Sequence, residues 1–296
     1  MFRRISLKVA VFVNTITLIV MAVGTYFLIT QQNANLDRQF VADGKFMSLT
    51  GAKAVGRMLE EAVDNGVFPV GDLFDTDYVT IPGFEPPKFH TKYDFYTDKA
   101  ILGLEDEYLK NPSCLYAIAV DTNGYLPTHN SRYQQPITGD REKDKAGNRT
   151  KRMFNDTVGL AAARNQTEGF VQLYARDTGE SAWDFSSPII VKGRHWGNFR
   201  IGFLTSSLQK AKTETMLWLI GLMFAVLMVS TLAAFFIVRG MLQPLTNFTR
   251  IASRMADGHV DEPIVSTSKD EIGELADVLE RMRISMKAAM ERLLRK

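Results

Sequence analysis

Two uncharged apolar runs, Val9 to Thr30 and Met216 to Val238, constrain this chain more than any other feature of its sequence. Each holds about 22 residues, and a helix rising about 1.5 Å per residue needs about 20 to cross a hydrocarbon core of about 30 Å. The first run is longer than the apolar region of a signal peptide, and no small-x-small cleavage site precedes Gln31, so it is expected to remain as an anchor. Arg3, Arg4 and Lys8 ahead of the first run and Arg239 directly after the second predict that both ends of the chain are cytoplasmic, because basic residues near span ends stay on that side. The expected organisation is therefore a cytoplasmic N-terminus (1–8), a first transmembrane helix (9–30), an outward portion (31–215) and a second transmembrane helix (216–238). Residues 31–215 are then expected to face outward. Tyr26, Phe27 and Trp218 suit the headgroup layer, where amphipathic rings settle. Asn14 lies inside the first run, either bonded to the same residue of a second subunit or tolerated near the inner interface.

Thirty-five basic and 33 acidic residues leave a net charge of +2, which gives no reason to expect a nucleic-acid partner. Cys114 is the one cysteine, so an intrachain disulfide and paired-thiol metal or haem sites are excluded, and no cofactor or metal is expected. P-loop, dinucleotide, zinc-protease and nucleophile-elbow motifs are absent from the sequence, so no enzyme activity is expected.

After the second apolar run, Arg239-Gly240 is expected to break the helix and Pro244 to open a new one, since proline in a first turn loses no intrahelical bond. Leu245, Phe248, Ala252 and Met255 alternate three and four apart, as a coiled-coil seam does. Gly258 suits a left-handed C′ position, and Pro263 keeps the following stretch extended. Ser268 and Glu271 have capping-box spacing, opening a second helix whose stripe runs Ile272, Leu275, Leu279, Met282, Met286, Ala289, Leu293. Two such seams are buried if two chains pair as a parallel four-helix bundle, which predicts a homodimer. Pro244, Gly258 and the run Asp270-Glu271-Ile272-Gly273-Glu274-Leu275 resemble the HAMP module of bacterial chemoreceptors and sensor kinases, over about residues 239–291, with 292–296 as a tail. The resemblance implies a dimeric signal relay in which Pro244, Gly258, Glu271, Ile272, Leu275 and Leu279 carry the signalling positions.

In the outward portion, Asn35 to Asn65 is expected to form a long helix and Thr91 to Leu109 a second helical stretch. Five strands are predicted: Leu115–Val120, Tyr125–His129, Val171–Arg176, Ala182–Val191 and His195–Leu204. Asp121-Thr122-Asn123-Gly124 and Asp177-Thr178-Gly179-Glu180 read as turns between them, and meander order with helices on one side follows. Asp140 to Lys151 reads as a solvated charged loop. This α+β pattern resembles the Cache class of PAS-like extracellular sensors. More narrowly, Tyr125 to Asn130, Arg152 to Asp156, Gly159 to Asn165 and Arg194 to Gly197 are similar to the sensing region of methyl-accepting chemotaxis proteins.

Candidate ligand contacts are Tyr125, His129, Arg164, Asp184, Trp196 and Arg200, with Trp196 and Arg200 expected on one strand face opposite Phe199, Ile201 and Phe203. For each of them a packing role or structural salt bridge is the competing reading. An arginine fork suits a carboxylate, so a small-molecule ligand of that kind is the expected partner, together with the lipid bilayer. The sequence ends soon after the HAMP-like helices, so the output is expected to pass to a separate cytoplasmic protein, unless the chain is the sensor half of a longer receptor or kinase. The alternative function is a membrane-tethered binding or assembly protein with a dimerising coiled coil.

Overall fold

The computed structural model describes residues 5–176 and 179–294. Arg3, Arg4, Asp177, Thr178 and the last two positions of the tail, which carried expectations above, lie outside the described residues. The chain divides into two compact units, Thr30–Thr215 and a second that joins Met1–Ile29 to Met216–Lys296.

In chain order, the first unit takes the outer part of α1 (Ile5–Asp64), then α2 (Val70–Leu73), β1 (Val79–Ile81), β2 (Lys88–His90), α3 (Asp94–Ala100) and α4 (Leu102–Tyr108). It continues with β3 (Cys114–Asp121), β4 (Tyr125–Leu126), a 3-10 turn (Ser131–Tyr133), α5 (Arg141–Gly147), β5 (Arg152–Met153) and α6 (Thr157–Arg164). β6 (Phe170–Ala175), β7 (Ser181–Val191) and β8 (Arg194–Leu204) follow, leading into α7 (Thr205–Ala256). The central sheet is antiparallel and four-stranded, in the order β3-β8-β7-β6.

This order corrects the meander of five. β4 does not join the sheet but pairs with β5, through Tyr125↔Met153 and Leu126↔Arg152. The turn forms as the sequence predicts, with Gly124 N–H donating to the Asp121 carbonyl at 3.0 Å and at φ +82°. Two features divert the chain after it. Pro127 has no N–H to continue a ladder. The flank of β3 is taken by β8, which approaches so closely at Gly197 that a Cβ there would lie 1.9 Å from the Val120 carbonyl oxygen.

Ser48, Ala52, Val55, Leu59 and Ala62 recur at helical spacing on α1 and are buried against one sheet face, among Phe185, Ile189, Phe199 and Ile201. Gly44 and Gly51 let the helix come down onto the rings of Phe185 and Phe199. The opposite face is not solvated. Tyr116, Ile118, Val120, Tyr174 and Ala182 lie under Leu126, Tyr133, Phe154 and Ala163, so α6 and the β4-β5 pair cover it. Helices on one side only is thus a second correction: both faces of the sheet carry apolar side chains, and each needs a layer. Within the solvated loop expected at Asp140–Lys151, Arg141–Gly147 instead form α5, N-capped by Asp140. Its Asp144 turns inward and accepts bonds from Thr138 N–H (2.8 Å), Thr138 Oγ1 (2.8 Å) and Gly139 N–H (2.9 Å).

In the second unit, α1 and α7 each contain a stretch long and apolar enough to cross a membrane, and neither stretch is buried in protein. Thr231 Oγ1 donates to Asn14 Oδ1 at 2.8 Å, so the amide finds a partner in its own chain. The break expected at Arg239-Gly240 is absent: α7 runs through Gly240 and Pro244 to Ala256. Pro244 removes one donor, while Phe248, Ile251 and Met255 of the same helix are buried and hold the following turns.

Candidate functional site

Alternation along the strands divides the first unit's chemistry between two sheet faces. On β3, Tyr116 and Ile118 point away from α1, and on β8 Arg200 does so while Phe199, Ile201 and Phe203 point toward it. The face away from α1 carries a cleft of ≈ 270 Å³, partly open to solvent, floored by Tyr116, Ile118, Tyr174 and Arg200. Its rim is His129, Arg149, Phe154 and Arg176, from the segments around β4, β5 and β6. That figure counts the open solvent at the cleft's mouth together with the enclosed space.

Three guanidinium groups line the cleft, and none of the lining residues is acidic. Arg200 is backed by Asp184 beneath it, Nη2 to Oδ2 at 2.9 Å, with the pair 3% and 0% exposed at the side chains. Tyr116 Oη (2.8 Å) and Gln172 Nε2 (2.9 Å) donate to the same carboxylate. Burial and the adjacent Asp184 carboxylate push the Tyr116 phenol well above its ordinary range. Arg176 bonds Glu180 and lies over the ring of Tyr133, 5.1 Å from its centroid. Arg149 and Arg152 each sit 5.0 Å from the Phe154 ring centroid. His129 is 2% exposed, its ring 4.5 Å from that of Tyr133. Burial, then Arg149, Arg176 and Arg152, hold its pKa well below the ordinary histidine value, so the ring is neutral. Its Nδ1 is buried without a hydrogen-bond partner among the described residues.

The structure therefore gathers three of the six sequence candidates: His129 in the rim, Arg200 in the floor and Asp184 behind Arg200. The others lie elsewhere. Trp196 is on the α1 face, with Nε1 donating to the Leu73 carbonyl at 2.9 Å and its ring against Tyr93. It does not share a face with Arg200, because a bulge pairs Ile189 with Gly197 and Ile190 with His195, leaving Trp196 as the extra residue that reverses the alternation. Tyr125 also faces the α1 core, donating to Asp94 Oδ2 at 2.8 Å. Arg164 Nε caps the Thr122 carbonyl at 3.2 Å. Sequence reasoning missed Tyr116, Arg149, Phe154, Tyr174 and Arg176. Tyr174 and Arg176 were accessible as alternate positions ending a strand, whereas Arg149 was hidden in the charged run.

Beyond α7, Gly258 takes φ +90° and closes the helix, with His259 N–H bonding the Arg254 carbonyl (2.9 Å) and Gly258 N–H that of Met255 (3.0 Å). The connector packs Val260 and Ile264 inward. Glu280 accepts from Ile264 N–H at 2.8 Å and pairs with Arg283, which holds its carboxyl down at about 2. The last helix, α8 (Glu271–Leu294), is capped by Asp270, whose Oδ1 accepts from Ile272 N–H at 3.0 Å. The expected cap, Ser268, instead donates to Asp270 at 2.5 Å. Within one chain Phe248, Ile251, Met255, Ile264 and Ala276 form a core, with Leu245, Ile272 and Leu279 against it.

Residues 236–288 match the HAMP domain. The HAMP match spans well under half of the chain. Leu275 and Met282 of its second helix remain 38% and 52% exposed in the single chain, a stripe continuing the predicted seam. Pro244 lies inside α7, and Glu271 opens α8.

Among solved structures the chain is similar to the sensory domain of the Campylobacter jejuni chemoreceptor Tlp3 (CcmL) with isoleucine bound. The identity is 12% and the TM-score 0.31, over 61% of this chain and 65% of that one. The ligand-binding domain of the same receptor with L-valine gives 11% and 0.30, over 61% and 66%. Its complex with 4-methylisoleucine gives 13% and 0.32, over 59% and 62%. The chain thus spans just under two thirds of the length of these domains. No curated protein matches it.

Proposed function

We propose that this chain is a membrane-spanning receptor that binds a small organic anion in the arginine-lined cleft of its 30–215 unit and relays occupancy through its HAMP module. The observation that carries the reading is the sequence order: a unit with a buried cationic cleft, flanked by two spans, with the HAMP match beginning as the second span ends. Guanidinium groups hold carboxylates with paired, charge-assisted bonds, and Tyr116, Phe154 and Tyr174 offer apolar walls to the rest of a small ligand. The exposed Leu275 and Met282 stripe supports pairing with a second copy. In this reading the termini and HAMP module are cytoplasmic, the cleft is periplasmic, and the chain acts by binding, with a separate protein as its output. A coupling of about 1–3 kcal/mol between cleft and module is enough for a useful response.

The test uses the full chain in membranes, with Cys114 replaced by serine and, in separate variants, Leu275 or Leu279 by cysteine. Disulfide crosslinking across the dimer is expected, with a yield that changes when two- to four-carbon carboxylates are added. Crosslinks that form at neither 275 nor 279 would remove the relay, and a yield indifferent to every carboxylate would remove the ligand class.

A further inference from the structure

The wall of the cleft holds a buried ring nitrogen. His129 Nδ1 is fully buried at the wall and lacks a hydrogen-bond partner among the described residues, although buried ring nitrogens are ordinarily paired. The charged groups around it are all cations. Arg149 and Arg152 reach it from the two ends of the 149–152 segment and Arg176 from the end of β6. Arg200 shares the cleft from β8, with Asp184 bonded to its far side. Tyr133 lies against the ring, and Tyr116 and Tyr174 form the floor. Burial, and then this field, keep the imidazole unprotonated against the opposing hydrogen bond of Asn130. An anion in the cleft reverses the field, placing negative charge beside the one group there able to gain a proton.

Taking the cleft as the ligand site proposed above, we propose that an organic anion binds together with one proton, which moves from solvent to His129 so that Nδ1–H donates to the ligand. The imidazolium then completes a donor set that the arginines begin. Binding strengthens as pH falls, by up to about tenfold per pH unit, the limit for one linked proton. Acidification alone does the opposite to the empty protein. With the folded-state pKa depressed, the unfolded chain binds the proton more readily, so stability is lost as pH falls through the ordinary histidine value.

The experiment is calorimetric titration of the full chain in nanodiscs with propionate and with pyruvate, at about pH 7, in buffers of different ionisation enthalpy. Observed heats are expected to vary with buffer by about one proton taken up per anion bound. His90→Gln, which alters a histidine remote from the cleft, is expected to keep that uptake, while His129→Gln abolishes it and flattens the pH dependence of affinity. Should His129→Gln fail to fold, the buffer series on the unaltered chain decides alone. Binding without proton uptake overturns the proposal and leaves the ligand site standing. Absence of binding by either carboxylate at any pH overturns both.

Discussion

Replacing Asp184 by asparagine tests the electrostatic design of the cleft. The substitution preserves shape but removes the only carboxylate that bonds Arg200 among the described residues. Arg200 is 2% exposed, so its guanidinium cannot turn to water. Tyr116 and Gln172 lose a charged acceptor, and one new amide N–H group faces the donors that bonded the carboxylate. Breaking a buried pair by removing one partner costs about 3–5 kcal/mol, a large part of the roughly 5–15 kcal/mol that stabilises a domain. For a unit of this size each kcal/mol shifts Tm by about 2–4 °C, so a drop of roughly 6–20 °C is expected. Intrinsic fluorescence reports it, since Trp183 and Trp196 both lie in the first unit. The double variant Asp184→Leu with Arg200→Met, which removes both charges, is expected to recover most of the loss. Asp184→Asn unfolding within about 1 kcal/mol of the parent would refute the claim that Arg200 depends on this carboxylate.

Gly51→Ala is expected to destabilise by about 1–3 kcal/mol despite a helix-propensity gain of about 1, because the new Cβ would lie 2.3 Å from buried Phe199 ring carbons. Gly103→Ala, with no atom within 4 Å, should stabilise, and denaturant titration compares the two. Glu105 is fully buried and its pKa is raised well above the ordinary 4.5, by burial above all. Its contribution to stability is complete below pH 4.5 and is lost as pH rises from there through the raised folded value, so Glu105→Gln should flatten that decline in denaturation curves. Asp270→Ala should weaken the HAMP module more than Ser268→Ala, read as loss of Leu275→Cys crosslinking, and equal effects would return the cap to Ser268.

The two long apolar helices, the HAMP helices, their left-handed glycine and all four strands of the central sheet were legible because each is set by local chemistry: apolar length, three-four spacing, or a two-residue alternation between turn residues. Arg200 and Asp184 were legible as unusual polar positions inside apolar strands, though not as each other's partners.

What the sequence by itself determined, then, is which segments are rods, which are strands and which face of each is oily, since these follow from neighbours a few residues apart. Only the tertiary structure decided that β8 lies beside β3 and displaces β4, that one bulge sends Trp196 to the opposite face from Arg200, and that arginines from 149 to 200 converge on His129. Those outcomes depend on close approach, on a single unpaired residue and on burial of charge between distant segments, and no local pattern encodes them.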